Sequence, residues 1–551
     1  MKKIILKWSV FILTFFAALF ISSKLLNKGH NNMTMDMSQA TYPVITMECD
    51  GVPYNQLFGY RSPMNVAFQR DTYTILGENR NVAFSVNSYG RDIAELMIEV
   101  RSADGGRLIE NTEVTDVHET AFGLAGEIVL KDLIDKDTEY SLAIVLTSEE
   151  EEIYYYTRVI WSDRLYLPEK ISFVKDFHDR LYDREAAREL TRYLETNSKL
   201  ESNQSFHYVN IHSSFQQITW GDLDVTETVA PVIRLTGVTG QTATFLVDYV
   251  VSTGKGKSQV DYKTQEYFRV RYTTDRMYLL DYERVMNQIP QVEKMCVNDK
   301  LVLGIVDADV QMTESEDGNV VVFEQLGQLF SYNAVSNKIA TIFSFLDSNH
   351  LDARTLNPEH EIKILNVDEG GNVWFAVYGY MSRGRHEGEV GIQVNLYNSE
   401  LNTVEEAIYL PYDKTFAVLR TEANQLLYMN REDKLYVYLE NELYSINLSE
   451  RTVQSLVKVS QDDSIRVSEN DKIVVWQEGA DVYDCSHLNL QNLGNESNVM
   501  IQVDEDEAIR PLGFMNEDMI YGVAKKEDIR RYNSGDVFFP MYKIGITNSS
   551  G

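Results

Sequence analysis

Polar and apolar residues alternate along most of this chain. From about Tyr42 to Trp161, runs such as Asn81–Ser88, Ile93–Ser102, Gly126–Leu133, Glu139–Ser148 and Ile153–Trp161 alternate with period two or are apolar throughout. Turn-forming groups such as Asp104-Gly105-Gly106 separate them. Period two sends successive side chains to opposite faces of a strand, and short strands at this spacing predict a β-sandwich over 42–162. The pattern then changes. Pro168 opens a segment in which Ile171, Val174, Phe177 and Leu181 recur every three to four residues, as do Ala186, Leu190 and Leu194. That spacing predicts two helices. Strand-like runs follow in Phe206–His212, Ala230–Val238, Thr242–Ser252 and Glu266–Tyr282, so 163–290 reads as a small α+β domain. Ser252–Ser258, "STGKGKS", has the flavour of a phosphate-binding loop. However, Val251 stands where that motif needs its first glycine, and strands lie on both sides, so it is read as a hairpin turn.

From 291 to 551 the chain repeats itself. A turn rich in acids, Asn, Gly or Lys recurs at Glu314–Asn319, Val367–Asn372, Asn430–Lys434, Ser468–Lys472 and Met515–Met519. An apolar strand follows each, and a further strand then ends in Asn and a second turn, as in "LFSYNAVSNKI", "VNLYNSELNTV" and "YSINLSERTV". A period of about 50 residues with about four strands per unit is the pattern of β-propeller blades. About five units are present. The fifth stops at Gly551 within the turn before its outer strand, so either an earlier strand such as Lys300–Val306 closes the ring or the chain is part of a longer one.

Two resemblances follow from these residues. Leu130, Leu133 and Tyr140 stand where a fibronectin III or immunoglobulin-like module places its leucine turn and core tyrosine, so 42–162 resembles such a module. The repeated region resembles β-propellers as a class, with no WD dipeptide, kelch glycine pair or Asp-box to name a subclass. The combination resembles membrane-anchored extracytoplasmic bacterial proteins. The fold class expected is therefore mainly β: a transmembrane helix, a β-sandwich, a small α+β domain and a propeller.

The anchor is read from the N-terminus. Ile4–Leu26 is mostly apolar and about long enough to span a bilayer. Ser22 and Ser23 make a poor cleavage site, which favours an uncleaved signal-anchor. Lys2, Lys3 and Lys7 outweigh Lys24 and Lys28, so residues 1–3 form the cytoplasmic tail and the bulk lies outside, at the bacterial cell surface. Residues 27–41 form a tether. Lys and Arg total 51 against 83 for Asp and Glu, a net charge of −32, which excludes nucleic acid as a partner. Cys49, Cys296 and Cys485 lack CxxC or zinc spacing and supply no disulfide framework.

No HExxH, GxSxG or Cys–His constellation appears, so the sequence names no catalytic residue, cofactor or metal site. Propeller topology picks out two long loops on one face: Tyr380–Glu389 and Lys525–Asp536. Both are cationic and aromatic in an acidic chain. Tyr378, Tyr380, Arg383, Arg385, His386, Lys525, Lys526, Arg530, Arg531 and Tyr532 are the candidate binding residues, because Arg and Tyr grip carboxylates and stack on sugar rings. The function expected is a membrane-anchored, non-catalytic binding or scaffold protein whose propeller engages an envelope glycan or protein partner. The alternatives are a carbohydrate-active enzyme with acids at the propeller mouth and an accessory subunit of an export or polysaccharide assembly complex.

Overall fold

The structure is a computed structural model that describes residues 37–197, 199, 205–297, 300–304, 310–347, 351–460, 464–479 and 481–548. The expected anchor Ile4–Leu26, its tail and the tether as far as residue 36 lie outside these. Among the described residues no helix is long and apolar enough to cross a membrane. The chain is mainly β and divides into two units. One contains the residues up to Asn372 with Tyr380–Glu389 and Tyr397–Val404; the other contains Val373–Gly379, Val390–Leu396 and Glu405 onward.

In the first unit, two sheets face each other. Strands Tyr73–Leu76, Glu151–Trp161, Glu139–Ser148, Ile93–Ser102 and Leu108–Glu113 form one, in that spatial order. The other has ten strands and continues past the boundary drawn at 162. Val44–Cys49, Val52–Phe58, Asn81–Asn87, Val117–Thr120 and Gly123–Val129 supply half of it. Tyr208–Asn210, Val225–Thr239, Thr242–Thr253, Val260–Tyr272 and Met277–Gln288 supply the rest. One apolar cluster, running from Ile45, Phe84 and Ile144 to Phe177, Phe245 and Tyr282, lies under both halves. Tyr140 is buried as expected, and its hydroxyl accepts the Asp135 N–H at 3.0 Å, whereas Leu133 is exposed.

The halves join at Val52–Phe58, which runs parallel to Val225–Thr239 with Tyr54 opposite Ile233. Asn55 sits in that join. The pairing of Val44–Cys49 with Val52–Phe58 shifts register here, leaving Asn55 as an extra residue in a bulge at φ +48°. Asn tolerates this left-handed conformation better than most residues. Its fully buried amide makes three connections. Nδ2 donates to the Tyr73 carbonyl at 2.7 Å and to the Thr74 hydroxyl at 3.3 Å, and Oδ1 accepts the Leu235 N–H at 2.8 Å.

The helix Leu167–Arg180 begins with Pro at its first turn and lays Ile171, Val174 and Phe177 on the sheet. Strand alternation presents Phe245, Phe268 and Tyr282 as one cross-strand row beneath it, and Val247, Glu266 and Arg284 as the next. Glu266 is a fully buried carboxylate and needs partners. It has them: His178 Nδ1 at 2.7 Å and the Tyr282 hydroxyl at 2.9 Å. The other ring nitrogen of His178 lies 3.1 Å from Glu227. Burial opposes the charge on His178, but the two carboxylates outweigh it and raise the ring's pKa to about 9. Ser252–Ser258 lies in the hairpin between Thr242–Thr253 and Val260–Tyr272, as the sequence suggested.

From Met312 the strands form successive four-stranded sheets in chain order, followed by a sheet of three and a two-stranded ribbon of Arg530–Arg531 with Val537–Phe538. Val320–Gln325, Val373–Tyr380, Lys434–Leu439 and Ile473–Trp476 are each the second, buried strand of their sheet. The sequence repeat has a physical cause in its turns. The first turn is closed by a short polar side chain that accepts a backbone N–H four or five residues ahead. Ser315 takes that of Val320, Asp368 that of Asn372, Asn430 that of Lys434 and Ser468 that of Ile473. The second turn is closed by the recurring Asn. Asn333, Asn398, Asn447 and Asn492 each accept the N–H three residues on, and the next residue is left-handed: Asn337, Asn402, Arg451 and Glu496. Asn is favoured because its amide mimics a backbone turn.

Two predictions follow from these contacts. Asn55→Ala should destabilise the first unit by about 2–5 kcal/mol in urea unfolding, since buried backbone groups lose partners and alanine is strained at positive φ. Asn55→Gly removes only the hydrogen bonds and should cost less; equal losses would show that backbone conformation is irrelevant. Separately, the raised pKa of His178 means that its stabilisation is complete below pH 6.5 and is lost as pH rises through about 9. The stability difference between the wild type and His178→Gln should therefore shrink over that range, and a difference that stays constant would refute the assignment.

Candidate functional site

The strands that bury His178 and Glu266 on one face carry a second charged group on the other. Alternation turns Arg234, Asp248, Lys263 and Gln265 away from the helix. Arg234 donates through Nε and Nη2 to Asp248 Oδ2, at 3.1 and 2.8 Å, and Gln265 Nε2 donates to Oδ1 at 2.6 Å. Arg234, Asp248 and Lys263 border a cleft in the first unit. Gln56, Phe58 and Tyr60, on and just beyond the strand that holds Asn55, form one wall with Tyr156. Asp71 and Thr72 enter from the segment before Tyr73–Leu76.

Leu356 to Glu359 close another side. That segment is shaped by its own side chains: Asp352 Oδ1 accepts the N–H groups of Arg354 and Thr355, and Asn357 Oδ1 accepts that of Glu359. Lys263 reaches it, donating from Nζ to the Leu356 carbonyl at 2.9 Å. The rings of Tyr60 and Tyr156 pack 5.6 Å apart.

The electrostatics of the cleft are unusual. Burial pushes the Glu359 carboxyl up to about 8, with repulsion from Asp71 adding and Arg234 opposing. Glu359 is therefore held largely protonated at neutral pH. Enclosure by the cleft also raises the Asp71 carboxyl, although its surface is open to the cleft and Arg234 and Arg158 draw it back. Burial lowers the Lys263 ammonium, while Asp248 opposes the shift. Four polar atoms of its lining have no hydrogen-bond partner among the described residues: Gln56 Oε1, Gln69 Nε2, the Tyr249 hydroxyl and Asn357 Nδ2. Buried polar atoms are nearly always satisfied. An aromatic cleft with unpaired amides and a carboxyl pair is equipped to hydrogen-bond a small polar molecule. Among the described residues, no cluster of His, Cys, Asp and Glu could hold a metal ion.

The loops expected to bind are placed differently. Tyr380, Arg383, Arg385 and His386 belong to the first unit, and Tyr378, Lys525, Lys526, Arg530, Arg531 and Tyr532 to the second. Much of the first loop is packed against the rest of the first unit. Tyr380 is buried and its hydroxyl donates to the Gly59 carbonyl at 2.8 Å. Arg383, expected to be exposed, is buried. Its guanidinium donates to the carbonyls of Ser344 and Leu346 and faces Asp347 at 3.6 Å. Glu387 accepts hydrogen bonds from the backbone of Thr41 and Tyr42 and from the Thr41 hydroxyl, and the Arg61 N–H donates to the Gly388 carbonyl. His386 lies 3.1 Å from Glu389; Arg385 is exposed.

In the second unit Tyr378 is buried and donates to Asn424. Lys525 pairs with Asp506 and Glu507, Lys526 with Asp484 and Arg531 with Asp481. Arg530 and Tyr532 are exposed. The acids that neutralise these cations lie far off in sequence, so the loop looked more positive than it is. The cleft residues escaped the sequence reading because they come from distant segments. One signal was present: Arg234 and Asp248 interrupt otherwise apolar strands.

No protein-family model matches the chain, and no curated protein matches it in sequence. Solved structures to which parts of the chain are similar include dipeptidyl peptidase 4 of Porphyromonas gingivalis, 10% identical over 56% of this chain, TM-score 0.26. The match spans 45% of the peptidase. TolB of Acinetobacter baumannii is 9% identical, with 67% of this chain and 78% of TolB covered, TM-score 0.20. The β-propeller domain of the Trilobed protease of Pyrococcus furiosus is 10% identical, with 59% and 84% covered, TM-score 0.22.

The placement of the two loops gives opposite expectations for two arginines. Arg383→Ala takes the guanidinium away from Asp347 and from two carbonyls and should cost about 3 kcal/mol of stability. Arg530→Ala should cost no more than about 0.5 kcal/mol. Chemical unfolding of both variants checks this, and an unchanged Arg383 variant would show that the loop is not held by its guanidinium.

Proposed function

We propose that this chain is a non-catalytic binding protein held on the outer face of a bacterial membrane by Ile4–Leu26, with the cleft as its ligand site. The successive sheets from Met312 onward are then the blades of a propeller that presents a docking surface to an envelope partner. The observation that carries the ligand reading is the cleft's lining: tyrosine and phenylalanine rings beside amides whose polar atoms, Gln56 Oε1, Gln69 Nε2 and Asn357 Nδ2, have no partner among the described residues. Asp248 neutralises Arg234, and Glu359 is held protonated, so the walls suit an uncharged, hydroxyl-rich ring such as a sugar. Rings supply apolar faces and amides supply the hydrogen bonds that orient hydroxyls.

A specific observation favours a second reading. Asp71 and Glu359 bring two carboxyls to one cleft, with Glu359 pushed up to about 8 by burial, and glycoside hydrolysis uses such a pair.

Titration of monosaccharides and oligosaccharides into the full chain tests the first reading. Binding should weaken about tenfold in Asn357→Ala, the loss of one or two hydrogen bonds, with no turnover of the ligand. Sugar binding unaffected by Asn357→Ala and Gln56→Ala together would remove the cleft from consideration. Release of reducing ends that is abolished by Asp71→Asn and by Glu359→Gln would establish the second reading instead.

A further inference from the structure

A smaller cavity adjoins the cleft, and Lys263 and Asn357 line both. Its other polar walls are Gln328, Thr355 and His360. Three groups offer it hydrogen-bond donors. Asn357 commits Oδ1 to the Glu359 N–H, which leaves Nδ2 without a partner. Gln328 turns Oε1 to the Ser344 hydroxyl and leaves Nε2 likewise. Both side chains are buried, at 4% and 6% exposure. Lys263 Nζ donates only to the Leu356 carbonyl, and among the described residues no carboxylate lies within ion-pair distance of it. An ammonium enclosed in this way and facing two unpaired amide donors is an incomplete anion site.

The fourth group has the opposite polarity. His360 Nε2 faces the Gly327 carbonyl at 3.2 Å, so it must carry the proton. Its Nδ1 is then a bare acceptor, and it is buried without a partner among the described residues. Burial lowers this ring's pKa to about 4, which keeps it neutral. Three donors and one acceptor on one cavity match a carboxylate that has a hydroxyl beside it. The oxygens accept from Lys263, Asn357 and Gln328, and the hydroxyl donates to His360 Nδ1. A bare anion satisfies only the first three and meets a lone pair at the fourth.

Resting on the reading of the cleft as a sugar site, we propose that the ligand is an acidic sugar: its ring fills the larger cleft and its carboxylate enters the smaller cavity between Lys263, Asn357 and Gln328. Lys263, at the junction, sets the preference for acidic over neutral sugars.

Calorimetric titration of the full chain with glucuronate and galacturonate, with their neutral parents glucose and galactose, and with acetate tests this. At least one uronate should bind about tenfold or more tightly than its parent, the effect of a hydrogen-bonded charge. Acetate should bind far more weakly than the uronate. Lys263→Met should abolish the preference by weakening the uronate far more than the parent sugar, and Gln328→Leu, in a separate wall, should reduce the preference without removing it. Thermal unfolding confirms that each variant is folded. If Lys263→Met does not fold, Gln328→Leu alone decides the matter: an undiminished preference overturns the proposal. Equal affinity for uronate and parent in the wild type overturns the proposal and leaves the sugar reading intact. Binding of acetate as tight as uronate overturns it in favour of a free-anion site. Binding of none of these ligands overturns both.

Discussion

The first unit depends on one buried amide. Asn55 occupies a bulge where the chain must be left-handed and where three strands approach one another, and its side chain bonds to both of the others. An aliphatic residue there would leave the Leu235 N–H and the Tyr73 carbonyl without these partners. A buried, unpaired backbone group costs about as much as a lost hydrogen bond. The same amide sets the geometry of function. Gln56 and Phe58 follow it directly on one wall of the cleft, and Leu235, which it fixes, is the neighbour of Arg234 on another. Fold and site are therefore positioned by a single polar contact.

Strand alternation does the rest. One set of strands faces the helix with Glu266 and Arg284 and faces the cleft with Asp248 and Lys263. The two charged groups are kept apart by the thickness of a sheet, yet any change of register would exchange them. On the helix face the charges are closed: His178 lies between Glu266 and Glu227, and Tyr282 completes the carboxylate. On the cleft face they are open, since Arg234 and Asp248 neutralise each other while Lys263, Gln56 and Asn357 retain hydrogen-bonding capacity. A satisfied network stabilises the fold, and an unsatisfied one beside a cavity is where a ligand gains most.

The repeated sheets follow a different logic. Their cores are ordinary apolar strands, and what recurs is turn chemistry: a Ser, Asp or Asn that closes the first turn and an Asn that closes the second. These are local interactions within six residues, and so the repeat is visible even where the strands have diverged.

That distinction explains what the sequence determined by itself. Period-two alternation, helical spacing around Ile171, Val174 and Phe177, the Ser252–Ser258 hairpin and the repeating turns all arise from neighbours in the chain, so residue order alone specifies them. The tertiary structure decided everything that pairs residues far apart. It joined two stretches read as separate domains into one sheet, because strand edges hydrogen-bond without regard to sequence distance. It buried Arg383 against Ser344, Leu346 and Asp347, and it neutralised Lys525, Lys526 and Arg531 with acids that no local pattern links to them. It also gathered Asp71, Arg234, Lys263 and Glu359 around one cleft. Charge and burial are properties of the assembled surroundings, and the chain carries only hints of them, such as an arginine and an aspartate set into apolar strands.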